Sequence, residues 1–220
     1  MEIDISKIEN KIADYREQGK SIFATSSFQS HSLPLLHIIS RIDNTIPVYF
    51  MNTGFLFPKT LIFAEQLASD MDLHIIGLRS SAPKIHQFDH AGRFYFTSDP
   101  DHCCYLNKIQ PLEPILMTHD VWINGIRADQ SAERKAMSEE EKAPFDTVRY
   151  HPMLEWDARK IHAYVTEYNL PSHPMEADGY LSIGCEPCTS PYLSNGNERN
   201  SRWFGMNKTE CGLHTQLVSK

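Results

Sequence analysis

The stretch Ser21-Ile-Phe-Ala-Thr-Ser-Ser-Phe-Gln-Ser-His-Ser-Leu-Pro-Leu-Leu-His-Ile-Ile-Ser-Arg-Ile42 decides the fold. Residues 21–24 are a short apolar run suited to a buried strand. Residues 25–32 are dense in hydroxyls, and 33–42 repeat apolar side chains at helical spacing, with Pro34 in the first turn, where a missing N–H costs nothing. This is a strand–loop–helix unit. A second unit follows, with residues 47–51 as a buried strand, Asn52-Thr-Gly54 as a turn and 58–69 as a helix, before a third strand over 73–78. Alternation of this kind predicts a mainly parallel sheet with right-handed crossovers, and ligands in such sheets gather at the carboxyl ends of the strands.

Working outward, Ile5, Ile8, Ile12 and Tyr15 carry the period of an amphipathic opening helix. Residues 121–124 predict a further strand that leads into Gly125-Ile-Arg127, and 158–168 a helix stopped near Asn169 and Pro171. The segment 131–142 reads as charged and exposed, 80–101 as loops with short helix, and the remainder from Ser172 on as largely irregular. A chain of 220 residues with 41% apolar content can bury one sizeable core. The expectation is one α/β domain over 1–194 and a flexible tail over 195–220, with Gly196, Gly205 and Gly212 as flex points.

Lys plus Arg number 21 and Asp plus Glu 28, a net charge of −7, which argues against a general nucleic-acid or anionic-membrane binder and requires any anion site to be a local cluster. No apolar run approaches the length of a membrane span, and residues 1–10 carry acids where a secretory leader has basic then apolar residues. The sequence predicts a soluble, cytoplasmic protein.

Five cysteines form a vicinal pair, Cys103–Cys104, a Cys185-x-x-Cys188 pair and a lone Cys211. An odd number without a leader fits metal ligation or catalysis better than a disulfide framework. The two pairs supply four thiolates, enough for a zinc site or an iron–sulfur cluster. Vicinal ligands suit a cluster, which offers each sulfur its own iron, better than one tetrahedral zinc. Cys211 lies in Glu210-Cys-Gly-Leu-His214, where a nearby His and Lys208 can lower a thiol pKa, or the cysteine is incidental in a frayed terminus. Lys108 lies four residues beyond Cys104, one helical turn away, and is either beside the cysteine site or a solvated lysine. Arg127, Arg199 and Arg202 offer guanidinium forks for an anion or lie on the surface. The hydroxyl-rich loop either cradles a phosphate or caps the helix that follows.

Taken together, Thr25-Ser-Ser-Phe-Gln-Ser30, Asn52-Thr-Gly-Phe-Leu-Phe-Pro58, Cys103-Cys-x-x-x-Lys108, Asn124-Gly-Ile-Arg-Ala-Asp-Gln-Ser131, Gly179-Tyr-Leu-Ser-Ile-Gly-Cys-Glu-Pro-Cys188, Glu198-Arg-x-x-Arg202 and Glu210-Cys-Gly-Leu-His214 resemble the assimilatory adenylyl-sulfate and phosphoadenylyl-sulfate reductases, from about Ser21 to His214. The resemblance implies an adenine-nucleotide α-hydrolase-like fold: a twisted, mainly parallel sheet flanked by helices, with an irregular C-terminal tail carrying the nucleophile. It makes Cys211 the nucleophile and Cys103, Cys104, Cys185 and Cys188 the ligands of a 4Fe-4S cluster. Lys108, Arg127, Arg199, Arg202 and His214 would meet the phosphosulfate, while Ser26, Ser27, Met51 and Thr53 would hold the adenosine part. The implied substrate is adenylyl sulfate, with phosphoadenylyl sulfate or both as the alternative, and the implied reductant is thioredoxin or glutaredoxin. Self-association is compatible with this reading. A turn that commonly reads Asp-Thr-Gly in the family reads Asn52-Thr-Gly here, which bears on substrate choice. The competing reading is a zinc-stabilised, non-redox nucleotide-binding or adenylating protein with an incidental Cys211.

Overall fold

The computed structural model describes residues 4–192, 201–203, 205, 206, 208 and 210–215. The helix predicted by Ile8, Ile12 and Tyr15 is α1 (Ser6–Glu17), and those three side chains are its buried face. Next come β1 (Ile22–Thr25), α2 (Leu33–Ile42), β2 (Val48–Met51), α3 (Pro58–Asp70) and β3 (Ile75–Leu78). Pro34 and Pro58 both sit in the first turn of their helices, where the ring removes no hydrogen bond. Short helices α4 (Tyr95–Ser98) and α5 (Pro100–Cys104), a π-helical turn over Tyr105–Ile109 and α6 (Gln110–Leu116) lead to β4 (Val121–Asn124). The chain continues through α7 (Ala132–Lys135), β5 (Glu140–Lys142), β6 (Val148–Tyr150), α8 (Ala158–Glu167) and finally α9 (Gly212–Thr215).

The six strands are ordered β3-β2-β1-β4-β6-β5, with every pairing parallel except β5 against β6. Both faces are covered. Ile22 and Ala24 of β1 turn toward α1, α2, α3 and α8 in the larger core, while Phe23 turns the other way, onto Trp122, Ile109, Leu112 and Leu116. The strand period of two thus divides one short run between two cores. Because the chain winds outward from β1 to β3 and then returns to place β4 on the other side of β1, the sheet's switch point lies between β1 and β4, the usual location of a ligand crevice.

One expectation is corrected. The segment 131–142 is not simply an exposed charged stretch, since it folds into α7 and the edge strand β5, and Arg134 is buried at 6% exposure. The described residues after Ser172 are largely irregular, as expected, with short 3₁₀ turns at Pro174–Glu176 and Glu186–Cys188 and the single turn of α9. Strand β6 had no counterpart in the sequence reading, because Val148–Tyr150 is too short to show alternation and buries Arg149 completely. The expected boundary between 194 and 195 lies outside the described residues. Among the described residues, no helix is long and apolar enough to cross a membrane.

Two buried histidines make stability pH-dependent. His151 donates through Nδ1 to Asn124 Oδ1 at 2.7 Å, and burial, with Arg149 and Arg134 nearby, depresses its pKa to about 3. His173 contacts Thr60 Oγ1 at 3.0 Å and accepts the Met175 N–H at 3.1 Å, and burial lowers it to about 4. Unfolded, both rings titrate near pH 6.5. Between roughly pH 6.5 and 4 the unfolded chain therefore binds protons that the folded chain refuses. Stability should fall with falling pH by about 1.4 kcal/mol per unit for each ring. Urea unfolding at successive pH values checks this, and His173→Gln should flatten the slope by one ring's share.

Candidate active site

Above the carboxyl edge of the sheet lies a cavity of about 1260 Å³, part of it open to solvent. Its floor comes from the ends of β1 and β4, Ala24, Thr25, Asn124 and Gly125, and one wall from the loop that follows β1. That loop does not cap α2 in the usual way: Ser32 makes no side-chain bond to the helix start. The hydroxyls are used within the loop and across to its neighbours. Ser26 Oγ accepts the Phe28 N–H at 3.1 Å, Ser27 Oγ accepts from Gln29 Nε2 at 2.9 Å, and Ser30 Oγ accepts the His173 N–H at 2.8 Å. Phe28 adopts a left-handed conformation at φ 58°, which costs about 1–2 kcal/mol for a residue with a Cβ. Its ring is fully buried edge-on against Phe50, and that burial offsets the strain. The loop is held open in front of the cavity by packing.

Ser26, Ser27, Met51, Thr53, Lys108, Arg202 and Cys211 all line this one cavity. Arg127 does not. Its side chain is buried three residues past the end of β4, where Nε bonds Asp129 at 2.9 Å and Nη1 has no hydrogen-bond partner among the described residues. Arg199 and the His214 side chain lie outside the described residues. Lining residues without a role in the sequence reading include Gln29, Asn124, Gln130, Arg134 and Trp203. Of these, Gln29, Asn124 and Gln130 lie within the family motifs, while nothing local marked Arg134 as buried.

A second, smaller cavity of about 340 Å³ lies alongside, bordered by Cys103, Cys104, Cys185 and Cys188, with Phe55, Phe96, Pro100 and Pro187 as apolar walls. Cys103 and Cys104 end α5, whose start is capped by the Asp99 carboxylate on the His102 N–H. The other pair is brought in by the turn after β2: the Glu186 N–H donates to Phe55 O at 2.7 Å, and Thr53 Oγ1 contacts Cys185 Sγ at 3.3 Å. All five cysteines are free thiols. Burial, followed by the charges of the neighbouring sulfurs, pushes Cys103 up to about 12 and Cys188 up to about 11. Those two thiols give up their protons most readily to a cation that takes their place, which is the chemistry of a thiolate metal site. Among the described residues, no three His, Cys, Asp or Glu side chains are arranged to hold a single metal ion. The four sulfurs border a volume instead, and they are the residues suited to hold an iron–sulfur cluster.

Lys108, Thr53 and Cys185 line both cavities. The π turn carries Lys108 inward, and its Nζ lies 3.6 Å from Cys211 Sγ. Burial alone would lower the Lys108 pKa, but the sulfurs of Cys211, Cys185 and Cys104 raise it above its ordinary value, so the ammonium persists. For Cys211 the balance is reversed: burial raises the thiol, while Lys108, the Leu213 N–H and Arg202 together bring it below the ordinary cysteine value. The result is a sulfur of lowered pKa beside an ammonium, both on the wall of the cavity. Arg202 reaches it through a close passage. Nε and Nη1 donate to the carbonyls of Cys188 and Ile183, each at 3.2 Å, and the guanidinium lies over the Trp203 ring at 4.7 Å. A Cβ on Gly184 would sit 2.1 Å from Arg202 Nη2, so any larger residue there would push the guanidinium out of its present place.

The strand order and a crevice of this size at the switch point define an adenine-nucleotide α-hydrolase-like α/β protein. The phosphoadenosine phosphosulfate reductase domain model matches residues 21–191, and the chain belongs to that family. An adenosine 5'-phosphosulfate reductase of a Chelativorans species is 33% identical over 94% of this chain and 84% of its own length. The protein of the same name from Bacillus cytotoxicus is 34% identical over 92% of this chain and 87% of its own. Among solved structures, the phosphate complex of Candida auris phosphoadenylyl-sulfate reductase superposes with a TM-score of 0.66 at 21% identity, over 81% of this chain and 87% of that one. Candida glabrata FMN adenylyltransferase shares the fold at a TM-score of 0.58 and 14% identity, over 91% of this chain and 66% of that one.

Gly184→Ala should displace the Arg202 fork from the cavity. Calorimetry with AMP should then show at least a ten-fold loss of affinity with an unchanged far-UV circular dichroism spectrum. Wild-type affinity would mean that Arg202 does not serve the anion.

Proposed function

We propose that the chain is an adenylyl-sulfate reductase that forms sulfite and AMP through a sulfonated Cys211. The observation that carries this reading is the Cys211 sulfur 3.6 Å from the Lys108 ammonium, which lowers its pKa, on the wall of the cavity at the carboxyl edge of the sheet. Cys211 Sγ donates an electron pair to the sulfonate sulfur of adenylyl sulfate, and the bond from that sulfur to the bridging phosphate oxygen breaks, releasing AMP. Lys108 and Arg202 meet the negative charge that gathers on the phosphosulfate oxygens, with Arg199 as a further candidate from the sequence, while Arg127 is turned to Asp129 away from the cavity. Ser26, Ser27, Met51 and Thr53 position the adenosine part. A reduced dithiol protein of the thioredoxin or glutaredoxin class then attacks the Cys211 sulfur, and the sulfur–sulfur bond breaks to release sulfite. A second attack by the dithiol's other sulfur oxidises it to a disulfide and returns Cys211 as a thiol. His214 would meet the phosphosulfate, on the strength of its motif.

Cys103, Cys104, Cys185 and Cys188 would hold a 4Fe-4S cluster, which would supply a fixed charge beside Lys108 and need not change redox state. The vicinal pair and the cavity bordered by four sulfurs support a polynuclear group over a single zinc ion. Adenylyl sulfate is favoured over its 3′-phosphorylated form by the cations available. Among the described residues, the Lys and Arg side chains lining the cavity are Lys108, Arg134 and Arg202. Lys108 faces Cys211, and Arg134 is engaged by Glu210 and Gln130. Lys84 lies over the Phe55 ring and Arg93 pairs with Asp89, outside the cavity lining.

Mass spectrometry of the protein incubated with adenylyl sulfate and no reductant should show a sulfonate adduct on Cys211, absent in Cys211→Ser, whose sulfite release should fall at least 10³-fold. Undiminished turnover in Cys211→Ser would overturn the proposal. The zinc reading predicts a colourless protein. Anaerobically purified protein should instead be brown and contain iron and acid-labile sulfide, and Cys103→Ser should lose both.

A further inference from the structure

Cys211 faces the cavity because the residue before it is anchored. The Glu210 carboxylate is buried at 4% exposure, beneath an arginine buried almost as deeply. Arg134 Nη2 donates to Oε1 at 3.0 Å and Nε to Oε2 at 3.1 Å, the paired geometry of a guanidinium–carboxylate fork. Ser131 Oγ lies 3.4 Å from Oε2, and the Cys211 backbone N–H donates to Oε1 at 2.9 Å. The remaining nitrogen of the fork, Arg134 Nη1, donates to Gln130 Oε1, which also accepts the Arg127 N–H at 3.2 Å. Ser131 in turn caps α7 by accepting the Arg134 N–H at 3.2 Å. One short loop after β4 therefore grips the segment that carries the reactive thiol, 76 positions along the chain.

Burying two charges is unfavourable on its own, so this pair is a poor device for general stability. It is a good device for register. Removing either partner strands the other charge in a site shut off from water, and the short segment escapes that cost by leaving. Arg134 lines the nucleotide cavity, yet Nε and both Nη atoms are committed to protein oxygens, which separates its role from that of Arg202.

We propose that Arg134 is a positioning residue, whose fork on Glu210 docks the 210–213 segment against the carboxyl edge of the sheet and holds the Cys211 sulfur toward Lys108. The catalytic meaning of this docking rests on Cys211 being the reacting thiol; the docking itself does not. Docking also buries the only lysine close upstream. Lys208 has a side chain 6% exposed and paired with Asp101.

The test uses the full-length, cluster-loaded protein without nucleotide, treated with endoproteinase Lys-C, and follows release of fragment 209–220 by intact mass. Arg134→Ala and Glu210→Ala should each speed that cut at least ten-fold, and the double variant should be cut no faster than either single one. Arg134→Lys, which keeps the charge and loses the fork, should fall between. Turnover should follow the same pattern, with kcat falling at least 100-fold in both single variants, no further loss in the double, and AMP affinity within about three-fold of wild type. Glu210→Gln, which keeps the side chain's shape, gives the same readout where an alanine variant does not fold. Cleavage at the wild-type rate in the single variants, or effects on cleavage and kcat that multiply in the double, would overturn the proposal. Failure of the nucleophile assignment would appear separately, as turnover surviving in Cys211→Ser while the cleavage pattern held.

Discussion

A lysine ammonium enclosed by protein survives only if something nearby carries the opposite charge, since desolvation otherwise strips its proton. Lys108 is such a group, and the sulfurs around it are what keep it charged. In return it lowers the pKa of Cys211 at 3.6 Å, so each group favours the charged form of the other. The same side chain lines both cavities. Any charge placed among Cys103, Cys104, Cys185 and Cys188 is therefore felt at Cys211 through one intervening ammonium, and the two sites form a single electrostatic system.

The scaffold serves this pair by convergence. The π turn at Tyr105–Ile109 delivers Lys108, the turn after β2 is tied to the Cys185 segment through Phe55 O, and α9 places Leu213 against the core that contains Phe23 and Trp122. Three pieces of chain that are distant in sequence meet above the switch point between β1 and β4, where neighbouring connections leave the sheet in opposite directions and open a crevice. The buried Arg134–Glu210 pair completes the enclosure from the β4 side.

Much of this was legible in the sequence. The first two strand–loop–helix units carried clear periodicity and well-placed prolines, so β1, α2, β2, α3 and β4 lie within a few residues of expectation. The four paired cysteines, Lys108, Cys211 and Arg202 stood out as a set through their motifs, and the cavities bring that set together. Harder to read were elements whose character depends on their neighbours. Val148–Tyr150 is a strand because β4 and β5 flank it, and the charged segment around Arg134 is partly buried because Glu210 returns to meet it.

Local pattern and residue chemistry alone determined a mainly parallel α/β sheet, a hydroxyl-rich loop after its first strand, two thiol pairs and a separate single thiol. Those properties are written in short-range periodicity and in side-chain type. Only the tertiary structure decided that the four paired thiols border one cavity, that Lys108 stands between that cavity and Cys211, that Arg127 turns to Asp129, and that Arg134 pairs with the residue before Cys211. Each is a contact between residues that are separate along the chain or free to choose among partners, and electrostatics in a buried site depends on distance and enclosure, which no linear pattern encodes.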